Sequence, residues 1–276
     1  MQPKVDQFFK GNLVMAWNIV RHAFVIVFGN FAEALKASIA PFAILVITVL
    51  VLNTALGLPL YQDALIAPDA GMQGAIAMAS IITIPLYLFI FGWVAVTWHR
   101  FILLEEYPTA VPAVAGRPIG AYVGRTVMMT LQMTLIMVPI ILVSVLIVGD
   151  VFTEPNAFLM NTGTGIAFAI GFGTAFTFFW FRVGISLPAV AVGEPINSRK
   201  AWAETKPVWQ TILGASIIMV SLNIVVTLLF SLLFVGIPLV AYVLSIAIQW
   251  ATMMVGVSVL TTIYGHVIEG RPLSGA

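Results

Sequence analysis

Arg182 is the residue of this sequence best placed to do chemistry. It ends a long apolar stretch, and Glu194 follows twelve residues on, about 18 Å along a continuous helix. An ionisable side chain at such depth in a membrane marks a functional site by default. Pro188 points the other way. It disfavours helix at Leu187, so the span is expected to end before it, leaving Arg182 to snorkel at the boundary. Arg182 is therefore either an anchor and structural partner or a contact for an anionic ligand or lipid headgroup.

His99, Arg100 and His266 occupy comparable positions and could join Arg182 in a cationic ring. Such a ring could hold a lipid phosphate or an anionic solute, although ordinary interfacial anchoring explains the same residues. Neutral polar residues are a second candidate set. Gln132, Asn223 and Gln249 stand inside apolar stretches and could line a pathway. Asn53, Thr83, Thr134, Thr174, Thr177 and Thr252 more often hydrogen-bond between helices.

Enzyme signatures mostly fail. Gly256-Val257-Ser258-Val259 is followed by Leu260, so no nucleophile elbow forms. With His22, His99 and His266 the only histidines, no His-Glu-x-x-His site exists. Glu105-Glu106 resembles the opening of the intramembrane CAAX-protease motif, but Ala110 stands where that motif needs Arg. Gly214-Ala215-Ser216 faintly resembles the rhomboid serine motif, with His266 as base. Ile217 follows instead of Gly, and Ser216 would lie about 14 Å deep, far from a boundary histidine. The chain is expected not to be an enzyme. It has no cysteine, which excludes thiolate chemistry and Cys-ligated metals. No metal site and no cofactor is expected.

What must position these residues is a set of membrane helices. The chain has 276 residues, 61% hydrophobic and 8% charged, with mean hydropathy +1.08. A soluble domain carries about 25% charged residues, so lipid must be the solvent. Six stretches, about 37–57, 74–98, 126–148, 163–184, 208–234 and 239–265, are each long enough to cross as a helix. Together they leave no room for a soluble domain. The expected fold is all-α: one integral membrane domain, 1–276, with six transmembrane helices.

All 12 Lys and Arg fall in alternate gaps or at the span ends flanking them. The remaining gaps hold Asp63, Asp69, Asp150 and Glu154. Cytoplasmic loops retain Lys and Arg, so both termini are expected to be cytoplasmic, in a bacterial inner membrane. The net charge of +1 is spread along one membrane face and gives no reason to expect nucleic acid. The N-terminal residues lack a secretory signal pattern, so the first span reads as an uncleaved anchor.

Segment 12–28 is apolar except for a stripe of Asn18, Arg21 and His22. It is expected to lie in the inner interface as an amphipathic helix, with a seventh span as the alternative. Gly29 should end it, and Asn30 should cap the next helix with Glu33 at the capping-box position. Asn197 or Ser198 should cap a short helix, and Thr205 the fifth span.

The even spans end alike, in Trp98-His99-Arg100, Trp180-Phe181-Arg182 and Tyr264-Gly265-His266. Their spacings are 82 and 84 residues, and an acid and a proline follow each. Three tandem hairpins, about 30–108, 117–195 and 197–272, account for this. Ala167, Gly171 and Ala175 place small residues four apart on the fourth span, suited to internal packing or a homo-oligomer face.

The stretch Arg182 to Trp209 resembles poorly characterised six-span bacterial inner-membrane families, among them the membrane domain ahead of some glycerophosphodiester phosphodiesterases. Leu187-Pro188-Ala189-Val190 and Ala201-Trp202-x-x-Thr205-Lys206 carry the likeness. The catalytic domain of those enzymes has no counterpart here, so the resemblance implies no phosphodiesterase activity. The expected role is a membrane scaffold or assembly partner, with lipid and a membrane-protein partner around it. The alternative is a transporter, channel or lipid-handling protein for a small or anionic solute.

Overall fold

The computed structural model describes residues 2–58, 70–147, 162–234 and 237–273. Asp63, Asp69, Asp150 and Glu154, with most of the gaps that hold them, lie outside the described residues. The described regular structure is helical. The helices are α1 Gln2–Gly29, α2 Phe31–Ala55, α3 Ala70–Leu104, α4 Ile119–Ile147 and α5 Thr162–Gly184. They continue with α6 Ser186–Val192, α7 Ser198–Glu204, α8 Trp209–Phe234 and α9 Pro238–Val267, with a short 3₁₀ turn Lys206–Val208 before α8. Among the described residues, seven helical stretches are long and apolar enough to cross a membrane. Pro41, Pro85 and Pro139 lie inside α2, α3 and α4.

The seventh stretch is Gly11–Gly29, which covers the segment expected to lie flat in the interface. It packs lengthwise along α8. Asn12 Nδ2 donates to Gln210 Oε1 at 3.2 Å, and Thr211 Oγ1 donates to Asn12 Oδ1 at 3.0 Å. Next come Ala16, Val20 and Ala215, buried together with Phe24, Ile218 and Met219 against them. Residue numbers rise together along both helices in this series, so α1 and α8 run in the same direction. A Cβ on Gly214 would sit 2.9 Å from the Ala16 Cβ, which shows how closely the two backbones approach.

Helices α3 and α9 also run together. Trp98 Nε1 donates to Ser258 Oγ at 2.7 Å, His99 meets Thr261, and Arg271 reaches Leu103. Helix α5 runs against α8, with Gly173 facing Val220 and Arg182 meeting Thr205. The ends of α3, α5, α6 and α9 and the starts of α1 and α8 thus gather on one side.

Local capping departs from expectation in two places. Asn30 makes no side-chain cap for α2. Its Nδ2 donates to the Ile26 carbonyl at 2.9 Å, so it closes the end of α1, where orphan carbonyls need donors. Glu33 pairs with Lys36 at 3.7 Å instead of forming a capping box. Thr205 likewise makes no side-chain cap, because its hydroxyl serves Arg182 and the Ala201 carbonyl. Asn197 does cap α7, accepting from the Lys200 N–H at 2.8 Å.

The effect of Pro188 falls earlier than expected. Helix breaks at Ile185, not at Leu187, and Leu187 and Pro188 belong to α6. Pro188 sits in the first turn of α6, where a missing N–H costs nothing. The small-residue stripe of α5 is not its main packing face. Ala167 and Gly171 are exposed and Ala175 is half-buried, while Gly173 takes the close contact with α8.

Candidate functional site at the basic helix ends

Three guanidiniums on the shared side each donate to a main-chain carbonyl on another helix, near that helix's C-terminal end. Arg100 Nη1 donates to the Ala191 carbonyl of α6 at 2.9 Å. Arg182 Nη2 donates to the Trp202 carbonyl of α7 at 2.7 Å. Arg271 Nη2 donates to the Leu103 carbonyl of α3 at 2.8 Å. The last carbonyls of a helix lack intrahelical partners and carry the negative end of its dipole, so a cation there stabilises twice over.

Each arginine is further committed. Arg100 grips Glu106 with two nitrogens, Nε donating to Oε2 at 3.0 Å, and Arg117 pairs with the same carboxylate. The Glu106 carboxyl is held below the ordinary carboxylate range by the Arg100 hydrogen bond first. Burial opposes the shift, and Arg117 adds to it. Glu106 reaches Arg100 because Glu105 takes a left-handed backbone, φ 56°, folding the chain back off α3. A non-glycine residue there costs about 1–2 kcal/mol. Arg271 pairs with Glu269.

Arg182 is 6% exposed. Its guanidinium lies 3.5 Å over the Trp202 ring and 5.7 Å from the Phe178 ring centre. Its Nε donates to Thr205 Oγ1 at 3.1 Å. Two hydrogen bonds in the plane and stacking on its face hold one planar cation, a geometry that lysine cannot copy.

His99 is wholly buried, and its protonation follows from its neighbours. Thr261 Oγ1 donates its proton to the Val257 carbonyl at 2.9 Å, so it must accept from His99 Nδ1 at 2.8 Å. His99 Nε2 is then an acceptor for the Tyr122 hydroxyl at 3.2 Å. The chain Tyr122 to His99 to Thr261 to Val257 is complete with a neutral imidazole. His266 donates from Nδ1 to the Arg271 carbonyl at 3.0 Å. The four residues expected as a cationic ring are thus distributed among separate internal networks.

Tyr122 also lines a cavity of about 330 Å³ between α3, α4, α5, α6 and α9. Phe91, Ala95, Phe176, Trp180 and Leu260 give its character, which is overwhelmingly apolar. Of the neutral candidates, Asn223 lines a separate groove of about 180 Å³ with Phe24 and Met219. Gln132 is half-buried on α4, and Gln249 is exposed on α9. Trp250, mid-span and in need of a partner, finds it: Nε1 donates to Ser38 Oγ at 2.9 Å.

Sequence reasoning missed Glu106, Tyr122, Thr261 and Arg271 as partners. The left-handed residue at 105 leaves no mark in residue type, since glutamate is not a turn signal. Arg271 stood in the chain terminus, outside any span. Among the described residues, no group of three His, Cys, Asp or Glu could hold a metal ion. No protein-family model, curated protein or solved structure matches the chain.

Proposed function

We propose that this chain is a bacterial inner-membrane protein that acts as a non-catalytic scaffold or assembly partner. One observation carries the reading: Arg100, Arg182 and His99 are all spent on internal hydrogen bonds. Polar groups committed in this way hold helices together and leave none of the three free to turn over a solute.

The reading includes six crossings with both termini cytoplasmic. Three successive full crossings by α1, α2 and α3 would leave α1 and α3 parallel. Instead α1 begins on the side where α3 ends, which supports one net crossing shared by α1 and α2. It also includes three tandem hairpins. Left-handed residues at Glu105, Gly193 and Gly270 follow the corresponding helix ends. After each, an N–H reaches back: Glu106 to the Arg100 carbonyl, Glu194 to Ala189 and Arg271 to Gly265. The arginine contacts then pass from the first hairpin to the second, the second to the third, and the third to the first. The likeness of Arg182–Trp209 to the membrane domain ahead of some phosphodiesterases fits a building block that serves another protein. Exposed Ala167 and Gly171 offer a face for a second copy.

Crosslinking in native membranes followed by co-purification tests the scaffold reading. A reproducible partner is expected, and a strictly solitary protein would sink it. A second reading, lipid handling or transport, draws on the apolar cavity of about 330 Å³ between the helices. Reconstitution into liposomes distinguishes it. Saturable flux abolished by changing Gln132, Asn223 and Gln249 together would favour it over the scaffold.

A further inference from the structure

Four arginines are buried or half-buried as residues: Arg100, Arg117, Arg125 and Arg182. Three have acceptors, as described. Among the described residues nothing accepts from Arg125. A half-buried arginine with no acceptor in the protein keeps its fork of donors open to an anion from outside.

Arg125 lines a groove of about 520 Å³ between the start of α4 and the end of α6. Its other walls are Pro118, Ala121, Gly124 and Met128 on one side, and Val190, Gly193 and Pro195 on the other. The groove contains one charge and is otherwise apolar or backbone. Arg125 is the seventh residue of α4, about 9 Å from its first. That depth suits a headgroup phosphate at the edge of a span.

The groove also has a direction. Ala121 and Met128 belong to a seven-residue series that continues through Leu135 and Leu142. Met128, Leu135 and Leu142 are all exposed. Seven residues are close to two helical turns, so the series forms one apolar stripe leading from the cation toward the far end of α4. The cation at the edge and the apolar stripe behind it complement the phosphate and the acyl chain of a phospholipid.

We infer that Arg125 and the α4–α6 groove bind an anionic phospholipid, with the phosphate on the guanidinium and an acyl chain along Met128, Leu135 and Leu142. The guanidinium fork matches two phosphate oxygens. The site is independent of the scaffold assignment and rests only on the membrane placement of α4.

The test is native mass spectrometry of the detergent-solubilised full chain, titrated with phosphatidylglycerol and with phosphatidylcholine of matched chains. The wild type should retain phosphatidylglycerol preferentially. Arg125→Gln should weaken that retention about tenfold, the loss of one charge-assisted pair. Gly124→Leu keeps the charge but fills the groove, and its first added carbon meets nothing within 4 Å. It should also lose the lipid. Arg199→Gln, which removes an exposed charge, should change nothing. Equal binding of the two lipids, unchanged binding by Arg125→Gln, or equal loss in Arg199→Gln would overturn the site. So would displacement by millimolar inorganic phosphate, which would mark an anion site without lipid selectivity. If Arg125→Gln does not fold, Gly124→Leu decides, and retention of phosphatidylglycerol there rejects the proposal.

Discussion

The Arg182 guanidinium lies 3.5 Å over the indole ring of Trp202 while donating to the Trp202 main-chain carbonyl. One residue of α7 thus receives both the face and the edge of the cation. This joins α5 to α7 and sets the approach to α8. Arg182→Gln should lower stability by about 3 kcal/mol, since it removes a stacked, buried cation and leaves the Trp202 carbonyl only the Thr205 hydroxyl at 3.2 Å. Arg182→Lys should recover only part, because an ammonium cannot stack and donate in one plane. A double-mutant cycle with Trp202→Ala, followed by thermal unfolding in detergent, should give a coupling of about 1–2 kcal/mol. Additivity would mean that the stacking is incidental.

Tyr122→Phe removes the donor to His99 Nε2 and leaves that nitrogen buried and unpaired. Hydrogen bonds between membrane helices average below 1 kcal/mol, but an orphaned buried acceptor raises the cost. About 1 kcal/mol is expected. Thr261→Val should do similar harm from the other end, since it removes the acceptor for His99 Nδ1–H. The two changes together should cost less than their sum, because the chain of donors is already broken by either one.

Glu106 makes stability depend on acid. Its folded pKa lies below the ordinary value, held there by Arg100 and then by Arg117. A depressed carboxylate stabilises the fold fully above its unfolded value and loses that contribution as pH falls through the folded one. The thermal midpoint should therefore drop on acidification below about 4.5, the ordinary value, and not between neutral pH and that point. Glu106→Gln should flatten this acid limb and lower the plateau at neutral pH. An unchanged acid limb in Glu106→Gln would place the sensitivity elsewhere.

Close helix contacts give a ranking of glycine substitutions. A Cβ on Gly184 would come within 2.7 Å of Leu260 Cδ2, and one on Gly214 within 2.9 Å of the Ala16 Cβ. The leucine tip can turn aside, but the alanine carbon is fixed to its backbone. Gly214→Ala should thus be the more damaging, about 1–3 kcal/mol, by parting α1 from α8. Glu105→Gly should be stabilising by about 1 kcal/mol, since it removes the left-handed strain of a side-chain-bearing residue. Thermal midpoints of the three variants in one detergent check the order.

Much of the architecture was legible in the sequence, for physical reasons that particular residues show. Lipid as solvent demands long apolar helices, so α2, α3, α4, α5, α8 and α9 follow from hydropathy alone. Charged groups gather at helix ends, so Arg100, Arg182 and His266 were found by position. Their partners were not legible. The Glu106 contact depends on a backbone turn at Glu105 that residue type does not encode. Asn30 was placed correctly at a helix junction but on the wrong side of it, because an asparagine amide can serve either the helix before or the helix after. For segment 12–28 the sequence showed the polar stripe of Asn18, Arg21 and His22 but not the contact with α8. Ala16, Val20 and Ala23, all buried, form the opposite stripe and carry its packing.

The scaffold assignment meets its most direct test in the stoichiometry of the protein recovered from native membranes after in-cell crosslinking. The expected result is a second membrane protein, recovered reproducibly and in fixed ratio. Recovery of the chain alone, or only with copies of itself, would contradict the assignment.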